Sequence, residues 1–167
     1  MSAGDARPLD VALDGSGLTV GVIGTRWNPA IVERLEAGAA RAIEAAGAAS
    51  VVERAPGAFE LPFAARSLIE SGSVDAVVVL GAVIRGETTH YEIVSEGCAR
   101  GVMRVQLDTG VPIGMGVLTV EDEGQALARS EGPGGHNVGE EATAAAIEQA
   151  LSAHRLTGAR RGVAPAS

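Results

Sequence analysis

Val74-Asp75-Ala76-Val77-Val78-Val79-Leu80-Gly81-Ala82-Val83-Ile84-Arg85-Gly86-Glu87-Thr88-Thr89-His90-Tyr91-Glu92 begins as a strand, Val74 to Leu80, and ends as the opening of a helix. A nearly continuous β-branched run of this kind suits a strand covered on both faces, as strands of parallel sheets are. Thr89 followed three residues later by Glu92 fits a capping box, which sets the helix start there and puts His90 at its first position. Val94, Cys98, Gly101, Val102 and Val105 then recur at helical spacing toward Gly110.

The same alternation extends in both directions. Strand-type runs are expected at Leu18 to Ile23, Ser50 to Arg54 and Ile113 to Leu118, each followed by a helical pattern. The first helix turns Ile31, Leu35, Ala39, Ala42, Ile43 and Ala46 to one side and closes at Gly47; the second carries Leu61, Ala64, Ala65, Leu68 and Ile69 and stops at Gly72. A short helix is expected from Glu123 to Ser130 and a last one from Glu140 to His154, with Gly132 to Gly135 a flexible connection between them. Four strands alternating with helices imply an α/β, three-layer domain: a four-stranded parallel sheet with helices on both faces. The expected boundaries are an N-terminal arm over 1–17, one domain over 18–154 and a C-terminal tail over 155–167.

Composition narrows the function. At 167 residues and 46% hydrophobic content the chain can bury a full core unaided. It has no apolar run long enough to span a bilayer and no secretory signal, so a cytoplasmic protein without membrane contact is expected. With no Lys, 13 Arg and a formal charge of −8, the chain repels nucleic acid, and an anionic substrate needs a local cationic pocket. Cys98 is the single cysteine and is expected to be packing; His90, His136 and His154 lie too far apart in sequence to suggest a metal site, and neither metal nor cofactor is expected. Gly21 and Gly24 do not form a dinucleotide-binding turn.

Ligands of open parallel sheets bind beyond the carboxyl ends of the strands. That selects the loops at Thr25 to Asn28, Ala55 to Glu60 and Arg85 to His90, and the region after the fourth strand leading to Arg129. In the third loop, unpaired backbone amides at a helix N-terminus make an anion site, and Gly86 lets a ligand approach. Histidine is the side chain suited to proton transfer near neutral pH, so His90 stands at the right place for a general acid or base; it would otherwise be a surface residue beside a cap. Trp27, the only Trp, can stack on a planar heterocycle or staple the first helix. Glu60 can accept from hydroxyls or amines, or cap a helix. Arg129 can meet an anion or merely complement the end of its short helix.

Thr25-Arg26-Trp27-Asn28, Pro56-Gly57-Ala58-Phe59-Glu60, Leu80 to Tyr91 and Gly116-Val117-Leu118-Thr119, in this order and spacing, resemble the 6,7-dimethyl-8-ribityllumazine synthase family over about Leu18 to Leu151. The resemblance implies a flavodoxin-like fold and a metal-free, cofactor-free transferase of riboflavin biosynthesis. Its substrates would be 5-amino-6-(D-ribitylamino)uracil and 3,4-dihydroxy-2-butanone 4-phosphate, releasing phosphate and water. It gives His90 a role in proton transfer and puts the phosphate on Glu87 and Thr88 with Arg129. It sets Trp27 against the pyrimidine, Ala58, Phe59 and Glu60 against the ribityl and uracil groups, and Ala82, Val83 and Ile84 along the ring.

The resemblance further implies a homopentamer or a shell of twelve pentamers, with Met115 and Arg129 supplied by a neighbouring subunit, and riboflavin synthase as a further partner. Three departures qualify it. Met115 stands where many members carry Phe, Val138 where many carry Lys, and the loop from Arg129 to Gly139 is about one residue longer, which favours the pentamer. A non-catalytic lumazine- or flavin-binding relative, or a shell protein, would not require His90, Arg129 and the phosphate loop together. An unrelated phospho-ligand module on the same sheet would leave Trp27 and Pro56 to Glu60 unexplained.

Overall fold

A computed structural model of the chain describes residues 11–161. Four strands, β1 (Thr19–Thr25), β2 (Ala49–Ala55), β3 (Ala76–Ile84) and β4 (Ile113–Val120), form one all-parallel sheet in the order β2-β1-β3-β4. Helices α1 (Pro29–Ala46) and α5 (Val138–Arg161) cover one face, and α2 (Leu61–Glu70) and α3 (His90–Thr109) the other; a short α4 (Glu123–Leu127) follows β4. The expected three-layer α/β fold is what the chain adopts.

Strand alternation divides the core in two. Val20, Val22, Val78 and Leu80 face α1 and α5, where Leu35 and Ile147 are fully enclosed. Ile23, Val77 and Val79 face α2 and α3 and meet Leu61, Ala65, Cys98 and Val102. Each aliphatic side chain so enclosed contributes on the order of 1.5–3 kcal/mol. At the edge, β2 is mostly exposed except at Ala55, and Val52 faces solvent. Gly47 closes α1 in the left-handed region (φ 69°), with the last carbonyls taken by the amides of Gly47 and Ala48.

Several expected boundaries shift. β3 continues past Leu80 to Ile84 because β4 stays in register beside it through Ile84↔Val120. The fourth helix ends at Leu127, short of Ser130. The last helix begins two residues early, since Asn137 Oδ1 accepts from the Glu140 amide at 3.1 Å and caps it, and it runs on to Arg161, into the stretch expected to be a tail. The Gly132 to Gly135 connection is braced: Ser130 and Asn137 form an antiparallel bridge across its base, and Gly135 N donates to Gly132 O at 3.0 Å. The expected arm lies outside the described residues through Asp10, as do residues 162–167 of the expected tail. No described helix is long and apolar enough to cross a membrane.

Cys98 is buried as expected, and burial pushes its thiol from 9.0 up to about 11. Between those values the unfolded chain gives up a proton that the folded chain keeps, so this group's contribution to stability falls as pH rises through that window. The native thiol is expected to resist a thiol reagent at pH 8 and to react fully after denaturation. Stoichiometric labelling of the native protein would contradict its enclosure.

α1 and α5 cross at Gly139, where a Cβ would overlap the backbone carbonyl of Leu35. Gly139→Ala gains at most about 1 kcal/mol of helix propensity and must force two backbones apart, at roughly 1–3 kcal/mol or more. Net destabilisation is expected in denaturant unfolding; a variant as stable as the parent would show that the crossing can relax freely.

Candidate active site

The cavity follows from where the strands stop. β1 pairs with β3 only as far as Gly24↔Leu80, whereas β3 continues beside β4 to Ile84. Beyond Leu80 a crevice therefore opens between β1 and β3, at the point where the chain's crossovers change direction. Asn28 bridges it at the base: Nδ2 donates to the carbonyl of Ala82 at 2.9 Å. To do so, Asn28 adopts the left-handed conformation (φ 53°, ψ 57°), which Asn tolerates better than most residues, and Pro29 then starts α1.

A cavity of about 730 Å³ occupies this crevice, within the size range of small-molecule sites. Trp27 forms one wall with its indole 72% exposed, so it is not a staple buried against α1. Ala58, Phe59 and Glu60, in a single 3-10 turn after β2, form a second, with the Phe59 ring resting on α3 at Gly97. Ala82, Val83 and Ile84 make the floor, and Gly86, Thr88, His90 and Tyr91 close the far side.

At the start of α3 the expected capping box is not formed. Thr89 makes no side-chain cap, and the His90 amide donates instead to Thr88 Oγ1 at 3.3 Å. Glu92 is drawn away by Arg85, whose Nη1 lies 3.2 Å from Glu92 Oε1 while its Nε lies 3.0 Å from Glu121 Oε2. The Arg85 guanidinium also sits 4.8 Å from the centre of the Tyr91 ring. These contacts tie the first turn of α3, and with it His90, to the end of β4. The amides of Gly86, Glu87, Thr88 and Thr89 find no acceptor among the described residues. They lie exposed at the positive end of the twenty-residue α3, a combination that suits an anion.

Nine of the residues expected at the site thus surround one cavity: Trp27, Ala58, Phe59, Glu60, Ala82, Val83, Ile84, Thr88 and His90. Glu87 is in the same loop but does not line the cavity wall. Met115 lies in β4, packed against the α2 and α3 side of the core, and Arg129 follows α4 with Nη1 donating to Gln125 O at 3.0 Å. Neither lines the cavity of its own chain. Asn28, Tyr91, Ile93 and Val94 line it and were not singled out from sequence. Asn28 had a signal, an Asn before Pro between a strand and a helix; Tyr91 and Val94 depend on how α3 rotates against the sheet. Among the described residues no group of three or more His, Cys, Asp or Glu side chains is placed to hold a metal ion.

Comparison with known proteins accords with this geometry. The family model for 6,7-dimethyl-8-ribityllumazine synthase matches residues 17–153. The chain is 48% identical to the 6,7-dimethyl-8-ribityllumazine synthase of Kineococcus radiotolerans, covering 98% of this chain and 97% of the relative. Identity to the protein of the same name from Leifsonia xyli is 45%, over 95% of this chain and all of the relative. The archaeal Thermococcus gammatolerans protein of that name is 44% identical over 75% of this chain and 82% of its own length. The match spans every strand and every cavity wall, and the chain belongs to the 6,7-dimethyl-8-ribityllumazine synthase family.

Proposed function

We propose that this chain condenses 5-amino-6-(D-ribitylamino)uracil with 3,4-dihydroxy-2-butanone 4-phosphate to give 6,7-dimethyl-8-ribityllumazine, phosphate and water. The observation that supports this reading is that the exposed Trp27, His90, and Gly86 and Thr88 of the loop with unpaired amides all line one cavity. Trp27 stacks on the pyrimidine, whose ring lies along Ala82, Val83 and Ile84. Ala58, Phe59 and Glu60 hold the ribityl chain and the uracil edge. The phosphate sits on the amides of Glu87 and Thr88, and Arg129 adds the cation that an overall acidic chain must supply locally.

In this arrangement the 5-amino nitrogen attacks the ketone and water leaves, forming an imine. Loss of phosphate from the neighbouring carbons follows, and the resulting enol becomes a ketone. The ribitylamino nitrogen closes the ring on that carbonyl with loss of a second water. Each step moves protons, and His90, beside these amides, is the group to carry them. Holding two flexible reactants in register supplies much of the rate.

Met115 and Arg129 stand away from their own chain's cavity, which supports a site shared between subunits of a homo-oligomer. Exposed apolar side chains add support: Phe63 of α2, and Ile93, Met103 and Leu107 of α3, are each more than half exposed on the single chain. A pentamer accounts for both features, and an isolated subunit would lack the phosphate-binding cation.

Mixing the protein with both substrates should produce the fluorescent lumazine above the uncatalysed rate. Arg129→Ala is expected to lose on the order of a hundredfold or more and His90→Ala about tenfold to a hundredfold. An assembled parent protein that gives no acceleration would favour a lumazine- or flavin-binding relative instead.

Trp27 also reports binding directly, since it is the only Trp. Titrating the pyrimidine substrate alone should quench its fluorescence saturably, and Trp27→Leu should weaken binding by about tenfold, or ~1.4 kcal/mol. Unchanged emission at saturating substrate would rule out stacking.

A further inference from the structure

We propose that Asn137 and Arg34 are positioning residues for Arg129; the proposal rests on the reading above, in which Arg129 holds the substrate phosphate. Arg129 is an exposed side chain on a loop rich in glycine, a poor place from which to deliver a charge to another surface. Its backbone, however, is held on both sides. Val138 N donates to the carbonyl of Arg129 at 2.9 Å, and Arg34 Nε, from α1, donates to the carbonyl of Ser130 at 2.9 Å. Ser130 itself is buried, with its hydroxyl donating to Ala126 O at 2.9 Å.

Asn137 is the centre of the clamp. It is completely enclosed, and every polar atom of its amide is used. Nδ2 donates to Arg34 O at 3.0 Å and to Glu131 O at 2.9 Å, while Oδ1 accepts from Glu140 N at 3.1 Å. One side chain thus joins α1, the loop strand leaving Arg129 and the first turn of α5. The fit requires Gly38 on α1, because a Cβ there would overlap the Asn137 amide. A buried amide bonded at three points has one orientation, and breaking any of its bonds leaves an unsatisfied group inside.

Two features indicate that the clamp serves Arg129 as well as the fold. It holds Ser130 and Glu131, next in the chain to Arg129 and at the narrow base of the loop marked by the Ser130↔Asn137 bridge, and makes no bond to Gly132 to Gly134. The guanidinium is steadied by α4, through Arg129 Nη1 to Gln125 O, so backbone and side chain are both held on the near side of the loop. Misplacing a charge by about 1 Å is enough to weaken an anion contact substantially.

The test measures both KM values and kcat for the assembled enzyme in Arg34→Met, Asn137→Asp and Arg129→Ala. Arg34 is exposed, so its replacement removes the donor to Ser130 O without opening the core. Asn137→Asp keeps the shape and the acceptor for Glu140 N but loses both donors. Arg34→Met and Asn137→Asp are each expected to raise KM for the butanone phosphate by about tenfold. KM for the ribitylaminouracil should stay within about twofold, a split that general loss of structure would not give. Combining Arg34→Met with Arg129→Ala should add nothing further.

If Arg129→Ala raises KM for the phosphate substrate while Arg34→Met leaves it unchanged, the positioning role is refuted and the reading of Arg129 survives. If Arg129→Ala leaves that KM unchanged, the reading of Arg129 fails and the proposal falls with it. Should Asn137→Asp fail to assemble, Arg34→Met decides the matter alone.

Discussion

β3 outruns β1, and the rest of the site depends on that difference in length. Ala76 to Ala82 are buried and Val77 to Leu80 are paired on both edges, which fixes the strand in the sheet. Its last residues keep only β4, so one edge of the backbone is left facing a gap. A bare strand edge beneath an apolar wall would cost free energy if left unpaired. The chain meets that demand with the Asn28 amide instead of another strand. Because Asn28 also ends the loop from β1, the same contact fixes the position of Trp27 next to it. Cavity floor, wall and helix start are therefore set by one hydrogen bond and one strand register.

Electrostatics around the mouth run against the chain as a whole. With a formal charge of −8, the field far from the site repels a phosphate ester, so attraction must come from groups within a few ångströms. Arg85 is near, but Glu92 and Glu121 hold it, and its charge serves to bind α3 to β4. Among the described residues, the loop at the start of α3 adds only the dipoles of its unpaired amides. In the proposed reading such donors fix where the phosphate lies but carry no net charge, so a guanidinium is wanted beside them. The shared site proposed above supplies it as the Arg129 of a second subunit.

Much of this was legible in the sequence because the strands carry their own signals. Apolar runs broken by glycine, helical spacing after each, and Gly47 at a helix end are local features, and local physics decides them. The loops at the strand ends followed from polarity of the sheet, and nine expected residues do line one cavity. The misses share a non-local cause. The apolar run predicts β3 only to Leu80, yet pairing with β4 carries it on to Ile84. The Thr89 and Glu92 box has the right letters, but Arg85 offers Glu92 a charged partner that outcompetes a neutral amide. Asn137 to Glu140 was a capping signal that glycine-rich surroundings obscured, and its buried amide shows only once α1 is laid against α5.

A charge presented across a subunit boundary needs a stiff mount as much as it needs the right side chain. Glycine-rich loops supply reach at the cost of order, and an exposed arginine loses much of its binding energy if it must be immobilised on contact. Closing the loop at its base resolves the conflict. Arg129 sits between α4 and the bridge, and the residues beside it are tied through Arg34 and Asn137 to the packed pair of α1 and α5. With Arg129 in its proposed role, the packing of α1 on α5 governs stability and the placing of that cation together. In a site shared as proposed, substitutions at that crossing should therefore change substrate affinity in the neighbouring site before they change the chemistry within their own.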